Sequence, residues 1–384
     1  MSAAARSRPL RIVHCPALVG GHAGGLARAE RELGLDSRVV AFDPPPFGYA
    51  ADEVLFPAGT TRAAREIRRW RFLLRVLRES DVVHLNFGST ILPRFTPGQQ
   101  GAARALFGLY ARLVQSRDLA LLRRRGVGIV VTFQGDDARQ GGPRFDRVLG
   151  PGYFDDRLDR AKRAWIAALD RYADALYALN PDLLEVLPAR AEFLPYASLD
   201  PRECTPAPPR TDGAPVVVHA PTDRRVKGTR HLLDAVERLR SEGVALELVL
   251  VEGVPHAEAR RAFERADVFV DQLLTGWYGG AAVEAMALGK PVVAHVDEGD
   301  IARVPQAMRA ELPIVRADRT SVYETLRELL TARRPELPEL GRRSRAFVER
   351  WHDPRTIAAR LREVYERSAR RRPITTTSTN APST

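Results

Sequence analysis

The sequence contains little cysteine and little lysine, and it has no long apolar run. Its 384 residues include two cysteines, Cys15 and Cys204, which are too few for a disulfide framework or a cysteine-rich metal site. No apolar stretch approaches the roughly 18 residues that a membrane-spanning helix needs. The first ten residues, MSAAARSRPL, lack the apolar core of a signal peptide. We therefore expect a cytoplasmic protein.

The basic residues are almost all arginine. Only three of the 59 are lysine, namely Lys162, Lys227 and Lys290, and the formal net charge is +11. The arginines alternate with acids in stretches such as ARAERELG and DAVERLRSEG, which is typical of solvated helix faces. This bias fits a GC-rich bacterial genome better than a nucleic-acid interface, so we predict no nucleic-acid partner. Peripheral attachment to anionic lipid through the arginines remains an alternative.

Short apolar strands alternate with helices along the chain. Strands are predicted at LRIVHCPAL, SRVVAF, DVVHLNFG, GIVVTFQG and ADALYALN. The proline-rich stretch DPRECTPAPPRTDGAP (200–215) then interrupts the pattern, as an interdomain linker does, and the alternation restarts at VVVHAP. The pattern predicts an α/β protein with two doubly wound, Rossmann-like domains.

We place the domains at 1–205 and 206–350. A further helix is expected over 351–372, and the low-complexity end, 373–384, is expected to be disordered. Two such domains form a cleft between the carboxyl ends of their strands, and ligands of open α/β sheets bind there. The residues that follow the strands are therefore the candidates for function.

Two segments of the second half have the character of anion sites. In PTDRRVKGT, Arg224 and Lys227 lie in a loop that opens a helix, where free N–H groups and cations favour negative charge. In GWYGGAAVEAMALGKPVVAH, Gly279 and Gly280 present nearly bare backbone at the start of another helix. Two such sites side by side suit a diphosphate, and Glu284, about one turn further on, is placed to reach ribose hydroxyls.

These two segments, RRVKG and GWYGGAAVEAMALGKPVV, resemble the donor-binding half of the GT-B glycosyltransferases, especially the retaining enzymes grouped as family 4. The resemblance implies that Lys227 and Arg224 neutralise the donor diphosphate and that Glu284 holds the ribose. It also implies that Gly21, in the glycine-rich loop VGGHAGG, approaches the phosphate or sugar, and that Gly253 and Val254 lie near the nucleobase.

The sequence departs from the family pattern at three points. Gly276 stands where the family carries the first of two glutamates, eight positions before Glu284, so one contact to the donor sugar is missing. Lys227 comes only three positions after Arg224, a shorter spacing than the family commonly shows. The single strand ALELVLVEG stands where the family has two strands. These departures bear on the identity of the donor more than on the fold.

The first half contributes polar residues after the strand GIVVTF. Gln134 falls where the family often has a histidine, and a glutamine cannot act as a general base. Asp136 or Asp137 is therefore the candidate for activating an acceptor hydroxyl, although both could simply cap a turn. His22 is a further candidate for the cleft. Trp277 and Tyr278 are expected either to stack on an acceptor or to line the cleft. We predict no metal site.

The resemblance implies a GT-B glycosyltransferase that moves a sugar from a nucleotide diphosphate sugar, of the UDP, GDP or dTDP type, to an acceptor hydroxyl with retention. The acceptor class, whether small molecule, glycan or lipid-linked, stays open, and no tightly bound cofactor is expected. The alternatives are a GT-B-fold epimerase or phosphorylase and a non-catalytic sugar-nucleotide-binding protein. A phosphorylase of the glycogen type needs a pyridoxal lysine, and Lys290 is poorly placed for that role.

Overall fold

The structure of the protein is a computed structural model that describes residues 8–95, 102–142, 145–146, 149–150 and 152–370. The predicted tail at 373–384 lies outside these residues. No helix within the described ranges combines the length and the apolar character needed to cross a membrane.

The first half of the described chain forms a parallel sheet of seven strands. Its spatial order is β3-β2-β1-β4-β5-β6-β7. The central strands β4 and β5 are buried along their whole length, because helices cover both faces of the sheet. The strands are β1 (Arg11–Pro16), β2 (Asp36–Ala41), β3 (Glu53–Val54), β4 (Val82–Asn86), β5 (Gly128–Phe133), β6 (Ala175–Ala178) and β7 (Glu192–Phe193).

The helices of the first half join these strands. They are α1 (His22–Glu32), α2 (Arg62–Glu79), α3 (Ala102–Val114), α4 (Arg117–Arg124) and α5 (Asp156–Tyr172). Each buries an apolar stripe; that of α2 consists of Phe72, Leu73 and Val76.

The second half repeats the pattern with five parallel strands in the order β12-β11-β10-β8-β9. The α/β prediction with two parallel sheets is confirmed. The strands are β8 (Val216–His219), β9 (Glu247–Leu250), β10 (Val268–Val270), β11 (Val292–Ala294) and β12 (Val315–Arg316). The helices are α6 (Arg224–Lys227), α7 (Thr229–Ser241), α8 (His256–Arg265), α9 (Gly280–Ala287), α10 (Glu298–Ile301), α11 (Gln306–Ala310), α12 (Val322–Leu330), α13 (Leu337–Trp351) and α14 (Pro354–Arg370).

The last helix, α14, crosses back to the first sheet and packs against α1. Its apolar stripe, including Leu361, joins the cluster that contains Leu26. The buried Tyr365 hydroxyl donates a hydrogen bond to Glu30 Oε1 at 2.8 Å and lies 2.8 Å from His84 Nδ1. The described part of the chain thus begins and ends on the same sheet, with the second sheet inserted between.

Candidate functional site

A cavity of about 580 Å³ lies between the two sheets, at the carboxyl ends of both. Its walls follow strands β1, β5 and β6 on one side and β8, β9 and β10 on the other. Open α/β sheets bind their ligands at this position. Most of the residues singled out in the sequence line it: Gly21, His22, Asp136, Lys227, Gly253, Val254, Gly279, Gly280 and Glu284.

Lys227 ends the one-turn helix α6 with its ammonium group against the start of α9. Its Nζ donates a hydrogen bond to Asp271 Oδ1 at 2.6 Å, and Asp271 Oδ2 accepts the Gly279 N–H at 2.6 Å. Asp271 is buried, so the pair holds the ammonium group in one place. A Cβ added at Gly279 would lie 3.1 Å from the Lys227 Nζ. The glycine therefore leaves the space that the lysine head occupies.

The start of helix α9 adds backbone donors to this charge. Gly279, Gly280 and Ala281 all line the cavity, and the helix begins at Gly280. The first N–H groups of a helix have no acceptor within it and carry partial positive charge. Together with the Lys227 ammonium group, whose charge Asp271 balances, they form a cluster of hydrogen-bond donors of the kind that binds phosphate.

Glu284 lies just over one turn into α9 and is held by one side chain from each half of the chain. The Tyr49 hydroxyl donates to its Oε1 at 3.3 Å, and His256 Nε2 lies 2.6 Å from its Oε2. The hydrogen bond to Glu284 raises the pKa of His256, and burial raises that of Tyr49. Both oxygens of the carboxylate are thus engaged at the cavity wall, and a ribose diol would use their remaining lone pairs or replace these two partners.

His22 begins helix α1 and presents an uncharged imidazole to the cavity. Burial lowers its pKa to about 3, and its Nδ1 accepts the Ala197 N–H at 3.0 Å. Because Nδ1 is an acceptor, the proton of the neutral ring is on Nε2. That nitrogen is buried and has no hydrogen-bond partner among the described residues. His22 therefore keeps a buried, unsatisfied N–H beside the cavity, on the opposite wall from Lys227.

The low pKa of His22 predicts a pH-dependent contribution to stability. The unfolded chain binds a proton here below pH 6.5 and the folded chain does not, so the free energy of unfolding falls as pH drops from about 6.5 towards 3. At pH 5 the loss from one such group is about 2 kcal/mol. The variant His22→Asn keeps an acceptor for the Ala197 N–H but does not titrate.

Denaturant unfolding of both proteins at pH 7 and pH 5 measures this effect. We expect the stability of the wild type relative to His22→Asn to fall by about 2 kcal/mol between the two pH values. The other buried histidines are present in both proteins, so their contributions to the pH dependence cancel in the difference between the two. If the difference in the free energy of unfolding between the two proteins did not change with pH, the account of His22 as a neutral, buried imidazole would be wrong.

The two aspartates after β5 have different environments. Both oxygens of Asp137 accept the Gln134 N–H at 3.1 Å, and Oδ1 also accepts the Gly135 N–H at 2.6 Å, so Asp137 closes this turn. Burial raises its pKa to about 6. Asp136 is exposed, forms an ion pair with Arg139 at 3.0 Å and lines the central cavity. Asp136 therefore lines both cavities, whereas Asp137 lines only the second, which is described below.

Arg224 lies outside the lining of the central cavity. Its Nε donates to Glu252 Oε1 at 2.8 Å, and its side chain is 57% exposed. Glu252, Gly253 and Val254 follow β9 and do line the cavity. A ligand would therefore have to draw Arg224 away from Glu252 before this guanidinium could contact a phosphate.

A second cavity of about 570 Å³ opens beside the first. Val19, Phe87 and Asp136 line both. Arg94 lines the second cavity, where its guanidinium lies over the Trp165 ring at 5.4 Å from the centroid. Arg94 makes no ion pair with any described carboxylate. The second cavity is lined by the carboxylates of Asp43, Asp136 and Asp137 as well as by Arg94 and Arg69, and Arg94 interacts electrostatically with Asp137.

Several residues of the central site were missed in the sequence. Asp271 follows strand β10 in the stretch VFVDQ, and its position at a strand carboxyl end was the signal that could have revealed it. Tyr49 and His256 carry no such signal, because their contacts to Glu284 join segments 235 and 28 residues apart.

Trp277 and Tyr278 neither stack in the cleft nor line it, so that expectation was wrong. Both are fully buried and stack on each other at 4.4 Å, and the Tyr278 hydroxyl lies 2.9 Å from His352 Nε2. Within the described ranges there is also no group of three or more His, Cys, Asp or Glu side chains that could hold a metal ion.

No protein-family model and no curated protein matches the sequence. Solved structures do match the fold. Sucrose-phosphate synthase from Thermosynechococcus elongatus is 15% identical, covers 93% of this chain and 98% of its own, and has a TM-score of 0.58. Anabaena HepE, in complex with UDP-glucose, is 13% identical, with coverages of 93% and 100% and a TM-score of 0.58. An alpha-glucosyltransferase in complex with UDP-glucose and DNA containing an abasic site is 12% identical, with coverages of 93% and 100% and a TM-score of 0.58.

These alignments span nearly the whole of each chain, so the likeness concerns the arrangement of both halves and the cleft between them. At these identities it is a likeness of fold. The chain has the GT-B fold of these glycosyltransferases, in which two Rossmann-like domains face each other across a central cleft.

Proposed function

We propose that the protein is a glycosyltransferase that takes a sugar from a nucleotide diphosphate sugar and passes it to an acceptor hydroxyl. The observation that carries the proposal is the cluster of Lys227, the start of α9 and Glu284 on one wall of the interdomain cavity. A fixed cation beside free N–H groups suits a diphosphate, and a carboxylate one turn along the same helix suits the ribose attached to it.

The difficult step is the departure of the nucleotide diphosphate. The bond between the sugar C1 and the phosphate oxygen breaks, and its electron pair stays on that oxygen. The Lys227 ammonium group and the N–H groups at Gly280 stabilise the developing negative charge, and such preorganised charge is usually the largest single contribution that a site makes. The buried Asp271 keeps the ammonium group in position before the donor arrives.

The first half of the chain supplies the groups on the acceptor side. His22, whose Nε2–H is buried and unsatisfied beside the cavity, donates to the phosphate or the sugar once the ligand's arrival makes this nitrogen accessible. The acceptor oxygen bonds to C1 as its proton passes to Asp136 or to the departing phosphate oxygen. The second cavity meets the first at Asp136, so it is the route that we assign to the acceptor.

The finer assignments follow from the family 4 resemblance. We propose attack on the face that the leaving group departs from, hence retention, within an ion pair closed off from water. A uridine diphosphate donor is favoured because HepE and the alpha-glucosyltransferase were solved with UDP-glucose. Gly276 leaves the contact to the donor sugar without its usual carboxylate, so sugar selection must come from other groups in the cleft.

The alternatives have weaker support in the structure. A pyridoxal-dependent phosphorylase would need a lysine in the cleft, but Lys290 is buried outside the cavity lining and donates from Nζ to the Glu264 carbonyl at 2.8 Å. An epimerase or a non-catalytic sugar-nucleotide-binding protein would share the diphosphate and ribose contacts. These two are separated from a transferase by their products.

Product analysis tests the proposal. The protein is incubated with UDP-glucose and with GDP- and dTDP-linked sugars, with and without pools of small-molecule, glycan and lipid-linked acceptors, and the products are identified by mass spectrometry. A transferase releases free nucleotide diphosphate and adds one sugar mass to an acceptor. Conversion of the sugar without release of nucleotide indicates an epimerase, and binding without any product indicates a sensor; either result would overturn the proposal.

A further inference from the structure

Helices α2 and α3 carry most of the large apolar side chains that the described residues expose. Eight such side chains are exposed in all, and five of them are on these two helices. Their exposures are high for leucine and isoleucine, reaching 73% at Leu106. Monomeric proteins seldom leave apolar side chains clustered in this way without a use for them. The five are Ile67, Leu74, Leu106, Leu109 and Leu113.

The five side chains form one surface because the two helices lie side by side. The Trp70 Nε1–H of α2 donates to the Tyr110 hydroxyl of α3 at 2.8 Å, and Tyr110 donates to Glu66 at 2.9 Å. The core-facing residues of α2 are Phe72, Leu73 and Val76, and those of α3 include Ala111 and Val114. On both helices the Trp70–Tyr110 contact lies between the core-facing residues and the exposed apolar residues.

The charges on this surface are of one sign. Arg71 and Arg78 lie on the same outer side of α2 as Ile67 and Leu74, at helical spacing, and both are exposed. Neither forms an ion pair or hydrogen bond with a described residue, whereas Arg75, four residues after Arg71 on the adjoining flank of α2, pairs with Glu53 at 2.6 Å. The segment of α3 contains no acid. We call the five apolar residues with Arg71 and Arg78 the outer α2–α3 surface.

We propose that the outer α2–α3 surface docks on an anionic lipid membrane. Binding in the plane of a membrane requires two features. Exposed leucines enter the headgroup boundary, and flanking cations contact the lipid phosphates. A second copy of this chain is a poorer partner, because a two-fold interface places the same patch on both sides and would bring unpaired arginines together with no acid between them. A flat bilayer also fits a convex helix pair without shape complementarity.

Co-sedimentation of the full chain with vesicles tests the proposal. We expect binding to phosphatidylcholine vesicles that contain phosphatidylglycerol, much weaker binding to phosphatidylcholine alone, and weakening by salt. The triple variant Leu106→Gln, Leu109→Gln, Leu113→Gln should bind the anionic vesicles at least about tenfold more weakly, since it removes the exposed apolar contribution. The variant Arg71→Gln, Arg78→Gln should lose most of the preference for anionic lipid.

Matched controls separate this surface from the general basic character of the protein. Leu158→Gln removes an exposed leucine on α5, and Arg261→Gln, Arg343→Gln removes two exposed arginines on the second half; both should bind as the wild type does. Because all the replaced side chains are exposed, unchanged circular dichroism should confirm that each variant folds. Equal loss in the controls, or full binding by the triple variant, would overturn the proposal. So would a dimer, seen by sedimentation equilibrium, that the triple variant abolishes while vesicles do not bind.

Discussion

Replacement of Lys227 is expected to lower turnover by about 100- to 1,000-fold, which is the typical cost of removing one group that stabilises charge in the transition state. The ammonium group lies beside the start of α9, where the departing diphosphate develops its charge, and no other lysine is among the described residues that line the cavity. The lysine also neutralises the buried Asp271. Leaving that carboxylate unpaired would itself cost about 3 to 5 kcal/mol of stability.

The variant must therefore remove the lysine charge without leaving a buried carboxylate. Lys227→Met combined with Asp271→Asn does so, because the asparagine oxygen can still accept the Gly279 N–H. We expect this double variant to melt near the wild-type temperature and to turn over about 100- to 1,000-fold more slowly. Asp271→Asn alone keeps the ammonium group and should lose much less activity. If the folded double variant retained near-normal turnover, Lys227 would have no part in catalysis.

Gly25→Ala is expected to destabilise the protein by about 3 kcal/mol or more, at the upper end of the cost of overpacking. A Cβ at Gly25 would lie 1.8 Å from the Ala197 carbonyl oxygen, and a backbone atom cannot move aside as the tip of a side chain can. Helix α1 and the residue before it pack closely against the segment that contains Ala197 and Ser198. A Cβ added at Gly21, just before the helix, would lie 2.5 Å from the Ser198 carbonyl oxygen. This close packing positions His22 at the cavity.

The neighbouring glycine in the same helix provides the control. At Gly24 the nearest atom to an added Cβ is the Ala50 carbonyl oxygen at 3.8 Å, which is ordinary contact. Gly24→Ala should therefore gain up to about 1 kcal/mol from helix propensity. Urea unfolding of the three proteins measures both effects. Similar stabilities for Gly24→Ala and Gly25→Ala would show that α1 does not pack as closely as the structure has it.

The long-range features of the fold were predictable because they rest on local patterns. The apolar runs VVHLN and GIVVTF are the fully buried strands β4 and β5, and the restart of the pattern after the proline-rich stretch gives the second sheet. The two-residue strands, such as β3 and β12, were not predicted. A strand of that length has no periodicity of its own and exists only because a neighbour offers it hydrogen bonds.

The site was predictable to the extent that it follows strand ends and helix starts. Lys227, Gly280 and Glu284 were found in this way, and they lie on one wall of the cavity. The partners that hold them, Asp271 and Tyr49, were not found, since a hydrogen bond between distant segments leaves no mark on either segment. The burial of Trp277 was missed for a similar reason: the core that encloses it comes from other parts of the chain.

The most direct test of the proposed donor site is nucleotide binding to the wild type and to Glu284→Ala, with Glu258→Ala, an exposed acid on α8, as the matched control. Thermal shifts are measured with UDP, GDP, dTDP and ADP, with and without magnesium. A nucleotide at a hundred times its dissociation constant stabilises the folded state by about 2.7 kcal/mol. We expect one diphosphate, UDP first among them, to stabilise the wild type and Glu258→Ala but not Glu284→Ala. If no nucleotide stabilises the wild type, or if Glu284→Ala responds as fully as the wild type does, the cleft is not the nucleotide-sugar site proposed for it.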